Sequence, residues 1–420
     1  MKINRNQIEI MAPAGSFESL MAAIQGGADA VYFGVQHLNM RAVSSRNFTT
    51  ADLQKIVNTC HEHQVRSYLT LNSILYDDDL EIMREILEEA RHAGITAIIA
   101  SDQAAILESR IRDLEVHIST QLNISNTEAL RFYAQWADVV VLARELTLNQ
   151  IQTIHEAIVK NPIKGPSGRP VQLELFAHGA LCMAISGKCY MSLHEKNVSA
   201  NRGACQQTCR KAYRVSERET GYEMDVDHDY IMSPKDLKTI HFLNKILDSG
   251  ISVLKIEGRA RSPEYVKTVT SCYDEAIRAI EDGTYNAIRI AEWDRRLATV
   301  FNRGFWDGYY LGQKLGEWSH RYGSQATKRK IYLGKGTNYF RKIGVAEFLL
   351  ETGQLHVGDE IIITGPTTGV VQTRVREIRV DEKHVQVTEK GDRCSIPIDI
   401  LIRRSDKLFK VVDASQVQTQ

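Results

Sequence analysis

Ile8-Glu9-Ile10-Met11-Ala12 is a short, mostly apolar run, and Ala30-Val31-Tyr32-Phe33-Gly34 is another. Between them, residues 16–25 carry apolar side chains at helical spacing, opening at Ser16 and stopping at Gly26-Gly27. A serine hydroxyl suits a helix N-cap, and glycine suits the turn that ends a helix. This strand–helix–strand stretch decides the fold because the pattern recurs. Further strands are expected at residues 65–72, 97–101, 116–121, 138–143, 172–177 and 253–257. Each is apolar enough to be buried on both faces, as parallel strands are. Residues 80–93 read as another helix, stopped at Gly94. Eight strands alternating with helices over about 250 residues is the arithmetic of an α/β protein with a (β/α)8 TIM-like barrel. An open doubly wound sheet usually has fewer strands, and no GxGxxG follows the first one.

The spacing breaks once. Roughly 75 residues separate strands seven and eight, and this insertion, at about residues 180–235, holds four of the seven cysteines. Loops leaving the C-terminal ends of barrel strands build the active-site face, so the insertion should hang over the barrel mouth. Cys182, Cys189, Cys205 and Cys209 are separated by six, fifteen and three residues. In a reducing compartment such clustering favours a metal or catalytic site over disulfides. Zinc knuckles prefer tighter pairs, whereas an iron–sulfur cubane accepts varied spacing, so the pattern favours iron–sulfur and leaves zinc open. Cys60, Cys272 and Cys394 are isolated and expected in the core. Arg202, Arg210, Lys211, Arg214 and Arg218 crowd the same insertion. They would either balance an anionic cluster or form a rim that meets a phosphate-bearing substrate.

Polar residues gather at the expected strand ends: Asn72, Asp102, Thr120, Gln121, Asn123, Arg144, Glu145, His178, Lys255, Glu257 and Arg259. Arg41, in the loop after strand two, joins them. We take Arg41, Arg144, His178, Lys255, Glu257 and Arg259 as the catalytic candidates, because barrel enzymes draw catalytic groups from these positions. Several cations around one cavity suit a small carboxylate or phosphate ligand. The competing expectation is structural ion pairing between Glu257 and Arg259, or between Arg144 and Glu145.

Residues 262–320 read as helical, mainly at 263–282 and 291–299, and complete a first domain at 1–320. Beyond Tyr322 the pattern changes to short strands at 344–350, 360–364, 370–380, 384–388, 395–402 and 410–412, punctuated by glycine. This predicts a small all-β barrel domain at 325–412 and a tail at 413–420. Residues 321–342 hold seven Lys or Arg and no acidic residue, with Tyr322, Tyr332, Tyr339 and Phe340 interleaved. Cations attract phosphates and rings stack on bases, so Lys328, Arg329, Lys330, Lys335, Tyr339 and Arg341 are candidate RNA contacts on a basic connector.

The whole chain has 52 basic and 52 acidic residues, and 43% of it is hydrophobic, ordinary for a globular protein. No apolar run is long enough to span a membrane, and the N-terminus lacks a signal-peptide core, so a cytoplasmic location is expected. HExxH, GxSxG and Walker A patterns are all missing.

Met11-Ala12-Pro13-Ala14-Gly15-Ser16, His178-Gly179-Ala180-Leu181-Cys182, Asn201-Arg202-Gly203-Ala204-Cys205, Ser233-Pro234-Lys235-Asp236-Leu237 and Lys255-Ile256-Glu257-Gly258-Arg259 resemble the signatures of peptidase family U-32, the collagenase-like proteases. The resemblance runs in order over essentially the whole chain. It implies either a peptidase, as the family name says, or a cluster-bearing hydroxylation enzyme acting on tRNA, ribosomal RNA or a ubiquinone precursor. The layout is most similar to the tRNA-hydroxylating members. Those form 5-hydroxyuridine at the wobble position without molecular oxygen, with prephenate implicated as hydroxyl donor. For this chain the resemblance implies a [4Fe–4S] cluster on Cys182, Cys189, Cys205 and Cys209, and a tRNA anticodon arm as partner. Some relatives place a ligating cysteine directly after Lys-Asp-Leu; here that position is Lys238, which leaves Cys209 as the fourth ligand.

Overall fold

The computed structural model describes residues 3–43, 47–213, 219, 232–313 and 316–416. Arg214, Arg218 and the tail beyond residue 416 lie outside the described residues. The first ten strands are β1 (Glu9–Pro13), β2 (Ala30–Phe33), β3 (Arg66–Leu71), β4 (Ala97–Ala100), β5 (Glu115–Ile118), β6 (Val139–Val141), β7 (Gln172–Gly179), β8 (Asp236–Lys238), β9 (Val253–Ile256) and β10 (Phe305–Trp306). Strands β1 to β7 pair in parallel, each with the next, and β9 closes the cylinder. Val253 lies opposite Glu9 of β1 on one side and Glu174 of β7 on the other. All eight expected barrel strands are present. Met11, Tyr32, Tyr68, Ile99, Val139 and Val253 form an apolar cluster of their own, distinct from the larger core that contains the buried faces of the barrel helices.

The helices are α1 (Phe17–Gln25), α2 (Leu53–Glu62), α3 (Leu80–Ala93), α4 (Gln103–Ile111), α5 (Thr127–Tyr133), α6 (Leu148–Lys160), α7 (Met191–Lys196), α8 (Leu243–Asp248), α9 (Pro263–Glu281) and α10 (Ala287–Thr299). Ser16 caps α1 by accepting from Ser19 N, and Gly94 ends α3 in the left-handed conformation. Helix α10 starts earlier than expected, because Asn286 caps it by accepting from Ile288 N and Arg289 N. The expected helical character ends at Thr299. Beyond it the chain turns into β10, which pairs with β8, and β8 pairs antiparallel with the end of β7. These strands of two and three residues carry no periodic signal, so the sequence reading missed them. Among the described residues no helix is long and apolar enough to cross a membrane.

The C-terminal strands are β11 (Lys328–Phe340), β12 (Val345–Leu350), β13 (Glu360–Gly365), β14 (Gly369–Arg374), β15 (Ile378–Val380), β16 (Lys383–Val385), β17 (Arg393–Pro397) and β18 (Lys407–Asp413). They form one antiparallel sheet in the order β14-β13-β18-β11-β12-β17-β15-β16. The sheet surrounds its own core of Leu333, Phe348, Ile361, Ile363, Ile396 and Leu408. The stretch taken as a basic connector is corrected here: from Lys328 it is the 13-residue central strand β11. Lys328, Arg329 and Lys330 open it, Leu333, Gly334 and Gly336 are its buried residues, and its register shifts at Tyr332/Gly334 and Gly336/Asn338. The sheet docks on the barrel wall. Gln25 of α1 donates to Thr368 O at 2.8 Å and accepts from Val370 N at 2.9 Å. Lys267 of α9 donates to Val370 O at 2.7 Å.

Two chain segments meet closely where the barrel closes. A Cβ added at Gly15 would lie 2.0 Å from the Arg259 carbonyl oxygen, so only glycine allows the loop after β1 to touch the loop after β9. We expect Gly15→Ala to cost about 1–3 kcal/mol, the usual range for forced overpacking. Thermal unfolding should show a lowered Tm, and an unchanged Tm would refute this account of the closure.

Candidate functional site at the barrel mouth

The insertion after β7 is stitched to the loops above β2, β3 and β5. Val43 N donates to Gly203 O at 3.2 Å, Ile74 N to Asn201 O at 3.0 Å, and Asn123 Nδ2 to Ser186 O at 3.1 Å. Gly203 adopts φ 85°, and a Cβ there would lie 2.3 Å from Asn39 O. Arg210 gathers the insertion from within, donating to Leu181 O at 2.5 Å, Pro234 O at 2.6 Å and Ser233 Oγ at 3.1 Å. Arg202 pairs with Asp79 at 2.7 Å and stacks 3.8 Å over the Tyr76 ring. Lys211 pairs with Glu195 at 2.5 Å. These three basic residues therefore serve the insertion's own architecture.

This stitching brings Cys182, Cys189, Cys205 and Cys209 to one cavity of about 190 Å³ at the barrel mouth. None is in a disulfide; Cys182 is exposed and the other three are half-buried. Burial pushes the Cys209 thiol up, Arg210 pulls it down, and the other three thiols push it up again. The four sulfurs thus sense one another across the cavity. They do not converge on a single point: among the described residues no three His, Cys, Asp or Glu side chains could hold one metal ion. Four thiols around one cavity are the donor set of a cubane cluster, which takes one thiolate per iron.

The same cavity carries the predicted charges. Arg41 Nη2 donates to Glu257 Oε1 at 3.0 Å, and Tyr32 OH donates toward Glu257 Oε2 at 3.1 Å and Ile256 O at 2.9 Å. Burial pushes the Glu257 carboxyl up, but Arg41, Arg259 and Arg144 together hold it below the usual carboxylate range. Burial pulls Arg259 down to about 10, against the opposing pull of Tyr32 and Glu257. Arg259 Nη1 donates to Thr70 Oγ1 at 2.9 Å and Asn39 Oδ1 at 3.1 Å. Lys255 pairs with the fully buried Glu174 at 2.8 Å inside the barrel. Arg144 lies 4.1 Å over the Phe176 ring, and its Nε and Nη1 are buried with no hydrogen-bond partner. Thr120 Oγ1, also in the cavity lining, is likewise unpartnered. A site with an unpaired guanidinium edge is built to receive an anionic oxygen.

Five of the six catalytic candidates, Arg41, Arg144, Lys255, Glu257 and Arg259, line this cavity with all four cysteines. His178 is the exception and is corrected. It is buried outside the lining, packed near Tyr265, Tyr273 and Phe305, with Nδ1 3.4 Å from Tyr273 OH. Helix α9, through Tyr265 and Tyr273, and β10, through Phe305, cover the end of β7 there, so the side chain points into packing. Among the other strand-end polar residues, Asp102 caps α4 and accepts from Leu75 N, which makes it structural. Sequence reasoning missed Tyr32, Thr70 and Asn39, which orient Glu257 and Arg259; an aromatic, a threonine and a loop asparagine carry no catalytic signature on their own. The candidate RNA strip is partly neutralised. Lys328 pairs with Glu360, Lys330 with Glu264 at 2.8 Å and Lys335 with Glu351 at 2.7 Å, while Tyr339 OH donates to Ile398 O at 2.9 Å. Arg329 and Arg341 are exposed.

Burial, helped by Lys238, lowers the His178 pKa to about 3. The folded protein keeps this imidazole neutral down to that pH, whereas an unfolded chain protonates it near 6.5. The unfolded state therefore binds more protons between those values, and stability falls as pH drops from about 6.5 toward 3. Urea unfolding at pH 7 and pH 5 should show wild type losing about 2 kcal/mol more than His178→Gln over that step. Equal losses would show that His178 is accessible and titrates normally.

The family model for peptidase family U32 matches residues 15–320, which spans the barrel and its insertion. A collagenase of Porphyromonas gingivalis is 62% identical over 408 residues, covering 97% of this chain and 99% of that protein. The tRNA hydroxylation protein P1 of Bacillus subtilis is 32% identical over 366 residues, covering 85% of this chain and 83% of that protein. The tRNA hydroxylation protein P of Helicobacter pylori strain J99 is 34% identical over 317 residues, covering 73% of this chain and 72% of that protein. A barrel-mouth site that combines the quoted signatures with matches of this length leads to one conclusion: the chain belongs to peptidase family U32.

Proposed function

We propose that this chain is an iron–sulfur-dependent RNA hydroxylation enzyme that forms 5-hydroxyuridine at the tRNA wobble position without molecular oxygen. The observation that carries the reading is the shared cavity: four thiols line it together with Arg41, Arg144, Glu257 and Arg259. Cys182, Cys189, Cys205 and Cys209 would hold a [4Fe–4S] cluster. When bound, such a cluster supplies one-electron transfer or Lewis-acid polarisation.

The chain's own residues would do the rest. Arg144, with its unpaired Nε and Nη1, and Arg41 would bind the carboxylates of a small hydroxyl donor, with prephenate as the candidate. Glu257 would aim Arg41, while Tyr32 and Thr70 fix Glu257 and Arg259 so that the cations wait in place. Replacing a ring C–H by C–OH takes two electrons from the base; the donor leaves without its oxygen and with those electrons. Residues 181–187 of the insertion line the same cavity, so the donor would bind between the insertion and the barrel rim. Exposed Arg329 and Arg341 on the β-sheet domain would add phosphate contacts to the anticodon arm.

The second reading is a peptidase, favoured by the name of the 62% identical relative. The cavity argues against it, because among the described residues no histidine lines it to activate a Cys or Ser nucleophile.

Nucleoside mass spectrometry of bulk tRNA tests the proposal. A strain lacking the gene should lose 5-hydroxyuridine-type nucleosides, and the wild-type gene should restore them. Arg41→Ala should restore about a tenth or less, since a charge-assisted contact is worth about 1.5–3 kcal/mol. Unchanged wobble uridines in the deletion strain, together with gelatin cleavage by the pure protein, would replace hydroxylation with proteolysis.

A further inference from the structure

A second cavity, of about 240 Å³, adjoins the first. Residues 181–186 and Arg144 line both. The walls unique to the second are aromatic: Trp306, Tyr309 and Trp318, with Gly316 between them. Trp306 and Tyr309 meet edge to face at 5.2 Å, and Trp306 Nε1 is tied to Lys235 O at 3.1 Å. Trp318 is held by backbone pairing with Pro234, and Lys235 N donates to Glu317 O at 2.9 Å. Trp306 is buried, and Tyr309 and Trp318 are half-buried. A Cβ at Gly316 would sit 3.5 to 3.8 Å from Tyr309, Trp318 and Trp306, so the glycine faces the space that the rings enclose.

The two cavities differ in charge. The first gathers Arg41, Arg144, Lys255, Arg259, Arg261 and Arg303 and suits a carboxylate. Among the described residues the second has Arg144 as its one cation, and Glu145 in its lining would repel a carboxylate. At a water's share of about 30 Å³, it has room for one compact flat group. A flat, uncharged group with ring N–H donors fits aromatic walls, a guanidinium and a carboxylate acceptor. An extended peptide needs a strand edge or a long groove instead.

We propose that this aromatic cavity receives the flipped-out pyrimidine of the RNA substrate, stacked on Trp318. This rests on the RNA hydroxylation reading and deepens it by assigning the base a pocket apart from the donor's. An enzyme that acts on a base must take it out of its stack, and aromatic faces offset the lost stacking. Glu145 accepts from the ring N3–H, and the shared wall at residues 181–186 turns the base edge toward the thiol-lined cavity.

The test uses anaerobically purified full-length protein and the fluorescence of its four tryptophans. One probe is an anticodon stem-loop transcript with uridine at the wobble position; the other carries an abasic site there. The uridine stem-loop should quench saturably, and the abasic one should bind about tenfold more weakly, as expected from about 1–3 kcal/mol per stacked base. Gly316→Leu, which fills the cavity, and Trp318→Ala should each bring the uridine probe to the abasic affinity, with iron content unchanged. Equal affinity for the two probes in wild type, or full uridine-dependent binding by both variants, would overturn the assignment while leaving RNA hydroxylation standing. Quenching by gelatin peptide and by neither RNA would overturn both.

Discussion

Glu257 sits at the end of β9, the strand that closes the barrel, largely buried and surrounded by Arg41, Arg144 and Arg259. A carboxylate in that position is costly unless it is paired and hydrogen-bonded. Arg41 and Tyr32 supply the bonds. Each must come from its own strand or loop, so β2 and its following loop are locked against β9. Arg259, two residues on, reaches back to Thr70 on β3 and to Asn39. The charge pattern of one five-residue segment thereby ties β9 to β2, β3 and the loop after β2. The insertion then attaches to that loop and its neighbours, and the thiols arrive where the charges already are.

Much of this was legible in the chain. Buried parallel strands need continuous apolar runs, and helices need caps, so the barrel could be counted out from Ile8 to Glu257. The long gap holding the cysteines marked the insertion and its side of the barrel, because loops at one end of the strands build the site. What the sequence could not show is orientation at strand ends. His178 and Lys255 look alike as polar residues ending a strand. One packs against Tyr265 and Tyr273 of α9 and Phe305 of β10, the other turns into the barrel beside Glu174, and both outcomes depend on partners distant in sequence. The same holds for the basic strip. Lys328, Lys330 and Lys335 read as a run of cations, yet the fold sets each beside an acid distant in sequence, Glu360, Glu264 of α9 and Glu351.

The insertion supplies most of what the barrel lacks. A (β/α)8 scaffold offers a rim of side chains and little cover. Here residues 181–186 pass between two cavities, one cationic and thiol-lined, the other aromatic. Arg210 keeps that ribbon in place from behind. Under the hydroxylation proposal, the division of labour is a donor on the cationic side, a base on the aromatic side, and Arg144 facing both.

The central claim is that four thiols spaced around one cavity hold one multi-iron group. Iron quantification on protein purified without oxygen, alongside Cys205→Ala, tests it most directly. The account predicts a brown wild-type protein with about four iron per chain and a colourless variant that has lost most of it. A colourless wild-type protein carrying one zinc, or none, would contradict it.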